Sequence, residues 1–380
     1  MDNAKLAFEY FSAMAEYKAS DLYLTVGAPP TLRVEDDLIE IAGQSLSIND
    51  INEILNAVLT VRQKREFEAA MELNTSLDMG EHGRFRVNIL RQRQAPALVI
   101  RRVVSNIPSF SDLKLPRMFE TLSMEKRGLV LLTGMTGSGK STSLASMVDY
   151  RNANKKGHII TIEDPIEYFH EHKKSVVTQR EIGVDTQSYA SALKNTLRQR
   201  PDVILIGEIR DREVMEQALT ISETGHLCLA TIHTNNAYQA IERIVNFFPD
   251  EQGQQVRLNL SMNLKAIISQ RLLPGIEKTL VPAVEVMLNQ GLVRELILRG
   301  DVPKIQEIME QTNQSGMCSF DQSILELYAQ GLITEDVALR NSDKPSDLKI
   351  RIRQLRMSGA EKKAGTPLSS VDTSVISFSE

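Results

Sequence analysis

Residues 134–142 read GMTGSGKST, with the apolar run GLVLL (128–132) before them and SLASMVDY (143–150) after. Gly134, Gly139, Lys140 and Ser141 satisfy the phosphate-binding spacing GxxxxGK[ST], in the strand–loop–helix setting that the P-loop requires. Glycine lets the backbone bend so that successive N–H groups converge, and a helix beginning near Gly139 places about half a positive charge at its N-terminus. The spacing predicts a cradle for phosphate oxygens made by Gly134, Met135, Thr136, Gly137, Ser138, Gly139, Lys140, Ser141 and Thr142. In it Lys140 reaches the β- and γ-phosphates of ATP and Ser141 ligates Mg2+.

A P-loop alone does not separate kinases, GTPases and motors, so the surrounding stretches must decide. VILIGEIRD (203–211) is an apolar run ending in Glu208, which puts a carboxylate at the carboxyl end of a strand beside the P-loop. There Glu208 holds Mg2+ through water or orients the attacking water. HIITIEDPIEY (158–168) delivers Glu163 and Asp164 from another strand end, halted by Pro165. A second carboxylate suits the alignment of a water on the γ-phosphorus, and either Glu163 or Glu208 can be the base. TGHLCLATIHTNNA (224–237) places His226 and His233 at the two ends of one short strand. Their odd offset sends them to opposite faces, one expected near phosphate and the other at an interface. His170 and His172, in FHEHKK, read as a solvated charged loop without the companions of a metal site.

Outward from these stretches, GLVLLTG, HIITIED, DVILIGEI, HLCLATIHT and LVPAVEVML are short apolar runs without clean alternation, as in parallel strands covered on both faces. Residues 1–105 differ: a first helix, strands DLYLTV and TLRVEDDLIEI, two helical stretches (47–59 and 60–73), then GRFRVNILRQRQ and APALVIRRV with the period of two of antiparallel strands. The fold class is α/β. An N-terminal α+β domain (1–105) and a linker or hinge (106–117) precede a nucleotide-binding domain with C-terminal helices (118–340). A polar, largely disordered tail (341–380) is expected last.

Net charge −5 argues against a binder of nucleic acid that works by general basicity, and no run reaches 18 uncharged apolar residues. Cys228 and Cys318 form no CxxC pair, which fits a reducing compartment, so a cytoplasmic location is expected.

GMTGSGKST, IEDPIE, ILIGEIRD and TGHLCLATIHT together resemble, in order, the Walker A, Asp, Walker B and His boxes of the secretion ATPases of type II secretion and type IV pili. ASDLYLTVGAPPTLRV and GRFRVNILRQ look like the PAS-like N-terminal domain of the pilus retraction (PilT/PilU) branch, and the likeness spans about residues 1–340. The details lean to the PilU side. Tyr23 stands where a histidine is usual, Ile209 replaces the methionine of GEMRD, and the branch's usual C-terminal motif is poorly matched by NQGLVRELILRG. The resemblance implies a RecA-like hexameric ring that hydrolyses ATP with Mg2+ and acts on an inner-membrane pilus platform protein, to which it attaches peripherally. It implies pilus retraction and twitching motility, by this ring itself or as an accessory to a related PilT-like ATPase; a RecA-like nucleic-acid motor is the minor alternative. It also implies that arginines of the N-terminal strands complete a neighbour's site. By motif position these are Arg86 and Arg101, each of which also reads as an exposed strand arginine, whereas Arg84, Arg91, Arg93 and Arg102 read only so.

Overall fold

A computed structural model describes residues 3–35, 37–41, 43–80, 83–103, 106–277, 279–311 and 316–357. The chain divides into two compact units, Met1–Ile107 with Asn152–Pro201, and Pro108–Arg151 with Asp202–Glu380.

In the first unit the elements are α1 (Asn3–Glu16), β1 (Asp21–Thr25), β2 (Thr31–Val34), β3 (Asp37–Glu40), α2 (Ile48–Val58), α3 (Val61–Ala70), β4 (Glu72–Asp78), β5 (Arg84–Gln92) and β6 (Ala95–Val103). The strands form an antiparallel sheet in the order β3-β2-β1-β6-β5-β4. The period of two in RFRVNILRQ decides which face is which. Phe85, Val87 and Ile89 are fully buried in a core with Phe11, Met14, Leu22, Ile51 and Ile54, while Arg84, Arg86 and Asn88 lie on the opposite face. Capping boxes start both inner helices, Ser47 with Asp50 on α2 and Thr60 with Gln63 on α3.

The same unit takes in β8 (Gly157–Glu163), β9 (Ser175–Glu181) and α6 (Tyr189–Thr196), the two strands running parallel. Within the unit, Ser76 of β4 bonds Glu181 of β9, and Arg84 of β5 stacks on Phe169.

In the second unit the elements are α4 (Met118–Ser123), β7 (Gly128–Thr133), α5 (Lys140–Asn154), β10 (Val203–Ile206), α7 (Arg212–Glu223), β11 (Leu227–Ile232), α8 (Ala237–Asn246) and α9 (Gly253–Asn263). They continue with β12 (Leu264–Pro274), β13 (Leu280–Leu288), α10 (Leu292–Arg299), α11 (Lys304–Gln311), α12 (Phe320–Ala329), α13 (Glu335–Asn341) and α14 (Pro345–Met357). Here the strand order is β13-β12-β7-β11-β10, with β10, β11, β7 and β12 parallel. Every residue of β7, β10 and β11 is buried, which explains their unbroken apolar reading.

Two expectations are corrected here. LVPAVEVML is not a parallel strand: β13 pairs antiparallel with β12, because the tight turn closed by the Gly275 N–H on the Thr279 carbonyl (2.7 Å) turns the chain straight back. Residues 106–117, read as a linker or hinge, carry contacts of their own. Ser109 and Asp112 bond reciprocally, Ser146 Oγ donates to the Pro108 carbonyl, and the Phe110 ring lies between Phe119 (5.9 Å) and Tyr150 (5.3 Å). The polar tail does not begin at 341 either. α14 continues the fold, with Leu348 and Ile352 buried against Phe320, Ile324 and Tyr328, and residues 358–380 lie outside the described residues.

Candidate nucleotide site

The loop after β7 is shaped by glycine where no other residue fits. At Gly134 (φ +146°) an added Cβ would stand 2.4 Å from the Gln270 carbonyl oxygen and 2.5 Å from Ser138 Oγ. At Gly139 (φ +85°) it would stand 2.7 Å from Gln270 Nε2. The space so cleared is walled by β12 on one side and opens onto the first turn of α5, which carries Ser141 and Thr142. Lys140 Nζ donates to the carbonyls of Gly134 and Met135, 2.8 Å each, holding the ammonium over the loop. Ser138 Oγ is buried and has no hydrogen-bond partner among the described residues. An orphaned donor, a helix N-terminus and an ammonium converging on a glycine-cleared hollow fit a polyphosphate.

At the carboxyl ends of the neighbouring parallel strands β10 and β11, Glu208 and His233 meet. His233 Nε2 lies 3.0 Å from Glu208 Oε1, and Arg210 reaches Glu208 Oε2 at 2.7 Å. Backbone ties hold the two strand ends together: Ile209 N–H donates to the Thr231 carbonyl (2.8 Å) and Thr231 Oγ1 to that of Gly207 (2.5 Å). Thr133, the last residue of β7, donates through Oγ1 to the Thr234 carbonyl at 2.6 Å, which brings the end of the His box to the P-loop. A cavity of about 560 Å³ lies there, lined by Gly134, Met135, His233, Thr234, Gln239 and Arg243. On the other side of the loop a cavity of about 350 Å³ is lined by Leu113, Gly139, Thr142, Leu272 and Thr279.

His226 is not part of this arrangement. It precedes β11, at the amino-terminal edge of the sheet, where its carbonyl accepts the Gly128 N–H (3.0 Å) and its Nδ1 lies 3.1 Å from Thr224 Oγ1. The six residues of β11, at about 3.3 Å each, separate the two histidines by roughly 20 Å. Lying at opposite ends of β11, the histidines are too far apart for both to reach the P-loop of their own chain, and His226 is at the far end.

Within the first unit, Glu163 closes β8. Thr161 Oγ1 donates to its Oε1 at 2.5 Å and Gln179 Nε2 at 3.3 Å. Burial outweighs these bonds and pushes the carboxyl up to about 7, with Glu167 adding to the rise. His170 is not solvated as expected. It is buried, its N–H donating to Gln179 Oε1 at 2.8 Å, while His172 is exposed. Arg86 and Arg101 are direct partners on β5 and β6, so they share the outward face. Arg101 pairs with buried Asp21 (2.9 Å) although its own side chain is 67% exposed. Arg91 covers the Phe67 ring, and Arg93 sits in the β5–β6 turn.

Gln270 escaped the sequence reading. It is buried, accepts from Ser143 Oγ at 2.8 Å and walls the phosphate hollow. Its signal was the pair SQ inside the apolar run AIISQRLL. The same holds for Glu285, opposite Ser269, which accepts the Ala237 N–H and the Ser269 hydroxyl (both 2.8 Å) and so fixes the start of α8. Magnesium has no ready-made cage: among the described residues no group of three or more His, Cys, Asp or Glu could hold a metal. The Ser141 hydroxyl and Glu208 are oxygen donors of the kind that hold it alongside phosphate oxygens.

The family described as type II/IV secretion system protein matches residues 9–323. The type IV pilus ATPase PilU of Pseudomonas aeruginosa is 47% identical over 341 residues, 90% of this chain and 89% of that protein. The type IV pilus retraction ATPase PilT of the same organism is 39% identical over 339 residues, 89% and 98% of the two chains. Among solved structures, that of the pilus retraction motor PilT with bound ADP superposes with a TM-score of 0.83 at 42% identity, covering 89% of this chain and 97% of that one.

Proposed function

The chain belongs to the type II/IV secretion system protein family, and on that premise we propose that it is a hexameric motor hydrolysing ATP to ADP and phosphate to power type IV pilus retraction. The observation that carries this reading is the phosphate hollow after β7, with its orphaned Ser138 hydroxyl and the Glu208–His233 pair beside it.

In the proposed site the β- and γ-phosphates lie along the loop 134–141, and the loop N–H groups and Lys140 balance their charge. The base lies on the Thr142 side, in the smaller cavity, where Leu113 and Leu272 offer apolar walls. Ser141, with Glu208 directly or through water, would hold magnesium, which would supply Lewis-acid neutralisation of the phosphate oxygens. Either Glu163 or Glu208 aligns the attacking water, and His233 and Arg210 fix the orientation of Glu208. Arg86 and Arg101 serve a neighbouring protomer's phosphates, where an always-charged fork suits charge spread over three oxygens. Nucleotide state then becomes domain movement acting on a platform protein at the inner membrane, with the motor on the cytoplasmic side. No helix among the described residues is long and apolar enough to cross a membrane.

The test is steady-state ATP hydrolysis by the assembled protein with magnesium, alongside pilus retraction in cells. Lys140→Ala should lose at least about a hundredfold in kcat and abolish twitching. Full cellular function in Lys140→Ala, with loss on deletion, would instead assign the chain an accessory role beside a related ATPase.

A further inference from the structure

Two contacts inside the first unit join the N-terminal strands to the loop that follows Glu163. Ser76 Oγ on β4 donates to Glu181 Oε1 at 2.9 Å, and the other oxygen of the same buried carboxylate accepts the Ile166 N–H at 3.2 Å. Two residues along β5 from Arg86, the Arg84 guanidinium lies 5.7 Å from the centre of the Phe169 ring, its buried Nε without a hydrogen-bond partner among the described residues. Ser76 stands directly opposite Arg86 in the β4–β5 register, so the two side chains share a face. On β9, Gln179 and Glu181 alternate onto one face. Gln179 holds Glu163, the Tyr168 carbonyl and the His170 amide, and Glu181 holds Ile166.

We infer that Glu181 is a positioning residue: through Ser76 it ties the loop bearing Glu163 to the strand pair bearing Arg86, so that the placement of one sets the placement of the other. In the ring proposed above, on which this rests, Arg86 serves a neighbour's phosphates and Glu163 is one of the two candidates for aligning water at the chain's own. The Ser76–Glu181–Ile166 chain then links two successive sites. The physical reason is directional. With one oxygen on a hydroxyl and the other on an amide, the buried carboxyl cannot release either without leaving a buried polar group unpaired. Arg84 on Phe169 adds a second attachment, which keeps the strands from pivoting about the first.

The test uses the full chain with Ser76→Ala and Ser76→Thr. Ser76→Ala should leave binding of a fluorescent ATP analogue and KM within about twofold, lower kcat about tenfold, and remove cooperativity between sites from the ATP dependence of the rate. Hydrogen exchange, read without nucleotide, should speed up by about tenfold or more at the amides of residues 166–170 while the β5 core amides stay protected. Ser76→Thr, which keeps the hydroxyl, should restore both. Parent-like kcat and parent-like exchange in Ser76→Ala would overturn the link, as would faster exchange throughout β4–β6, which would mark a general loss of stability. Because exchange is read without turnover, a protein that fails to hydrolyse ATP would count against the ATPase reading, while the link would still be decided.

Discussion

Glu163 carries the sharpest prediction at the scale of a single residue. Burial raises its carboxyl to about 7, above the unfolded value of 4.5, so between those values the folded chain binds more protons than the unfolded one. Stability contributed by the protonated form is present at pH 4.5 and lost as pH rises through about 7. The melting temperature of Glu163→Gln relative to the parent should therefore increase from pH 5 to pH 8, measured by thermal unfolding at both. If Glu163 is the group that takes the proton from water, parent kcat rises with pH through about 7 and this rise is absent in Glu163→Gln. A rate profile unchanged by the substitution would pass the role to Glu208. At this scale the P-loop spacing and the candidate carboxylates Glu163 and Glu208 could be named from the sequence because each lies in a local motif. Gln270 and Glu285 were not, since a polar side chain inside an apolar run acquires meaning only from the strand or helix that packs against it.

At the scale of elements, parallel pairing does what no local signal can. β10 and β11 each lead into one candidate side chain, and only their shared direction puts Glu208 within 3.0 Å of His233 and leaves His226 at the far edge. The β12–β13 hairpin adds the wall that closes the phosphate hollow, and Glu285 at its centre anchors α8. Truncating that carboxyl in Glu285→Ala leaves the Ala237 N–H and the Ser269 hydroxyl buried without an acceptor. The expected cost is about 2–4 kcal/mol, measured by denaturant unfolding, with Ser269→Ala costing less because it removes one donor together with its need. Burial pushes the Glu285 carboxyl up as well, so a larger cost is expected at low pH than at high pH, because the stability of the protonated form is lost as pH rises.

For the whole molecule, the outward row of cross-strand partners Ser76, Arg86, Arg101 and Asp21 distinguishes the two arginines that the sequence left level. Arg101 is engaged with Asp21, which leaves Arg86 as the better candidate for a neighbour's phosphate. If Arg86 acts across a protomer boundary, assemblies of Arg86→Ala alone and of Lys140→Ala alone should both be inactive. Mixed assemblies should regain a measurable fraction of parent hydrolysis, because some sites then pair an intact Lys140 with an intact neighbouring Arg86. No recovery on mixing would confine Arg86 to its own chain.

Period and spacing, which are properties of neighbours along the chain, were enough to determine the α/β class, the phosphate loop, the antiparallel face of the N-terminal sheet and the family. The antiparallel return of β13, the helix at 345–357 and the placing of His233, rather than His226, beside Glu208 were decided only in three dimensions. Each depends on which distant segment offers a buried partner, a hydrogen-bond acceptor or a parallel edge, and such pairings leave no periodic trace in either partner's sequence.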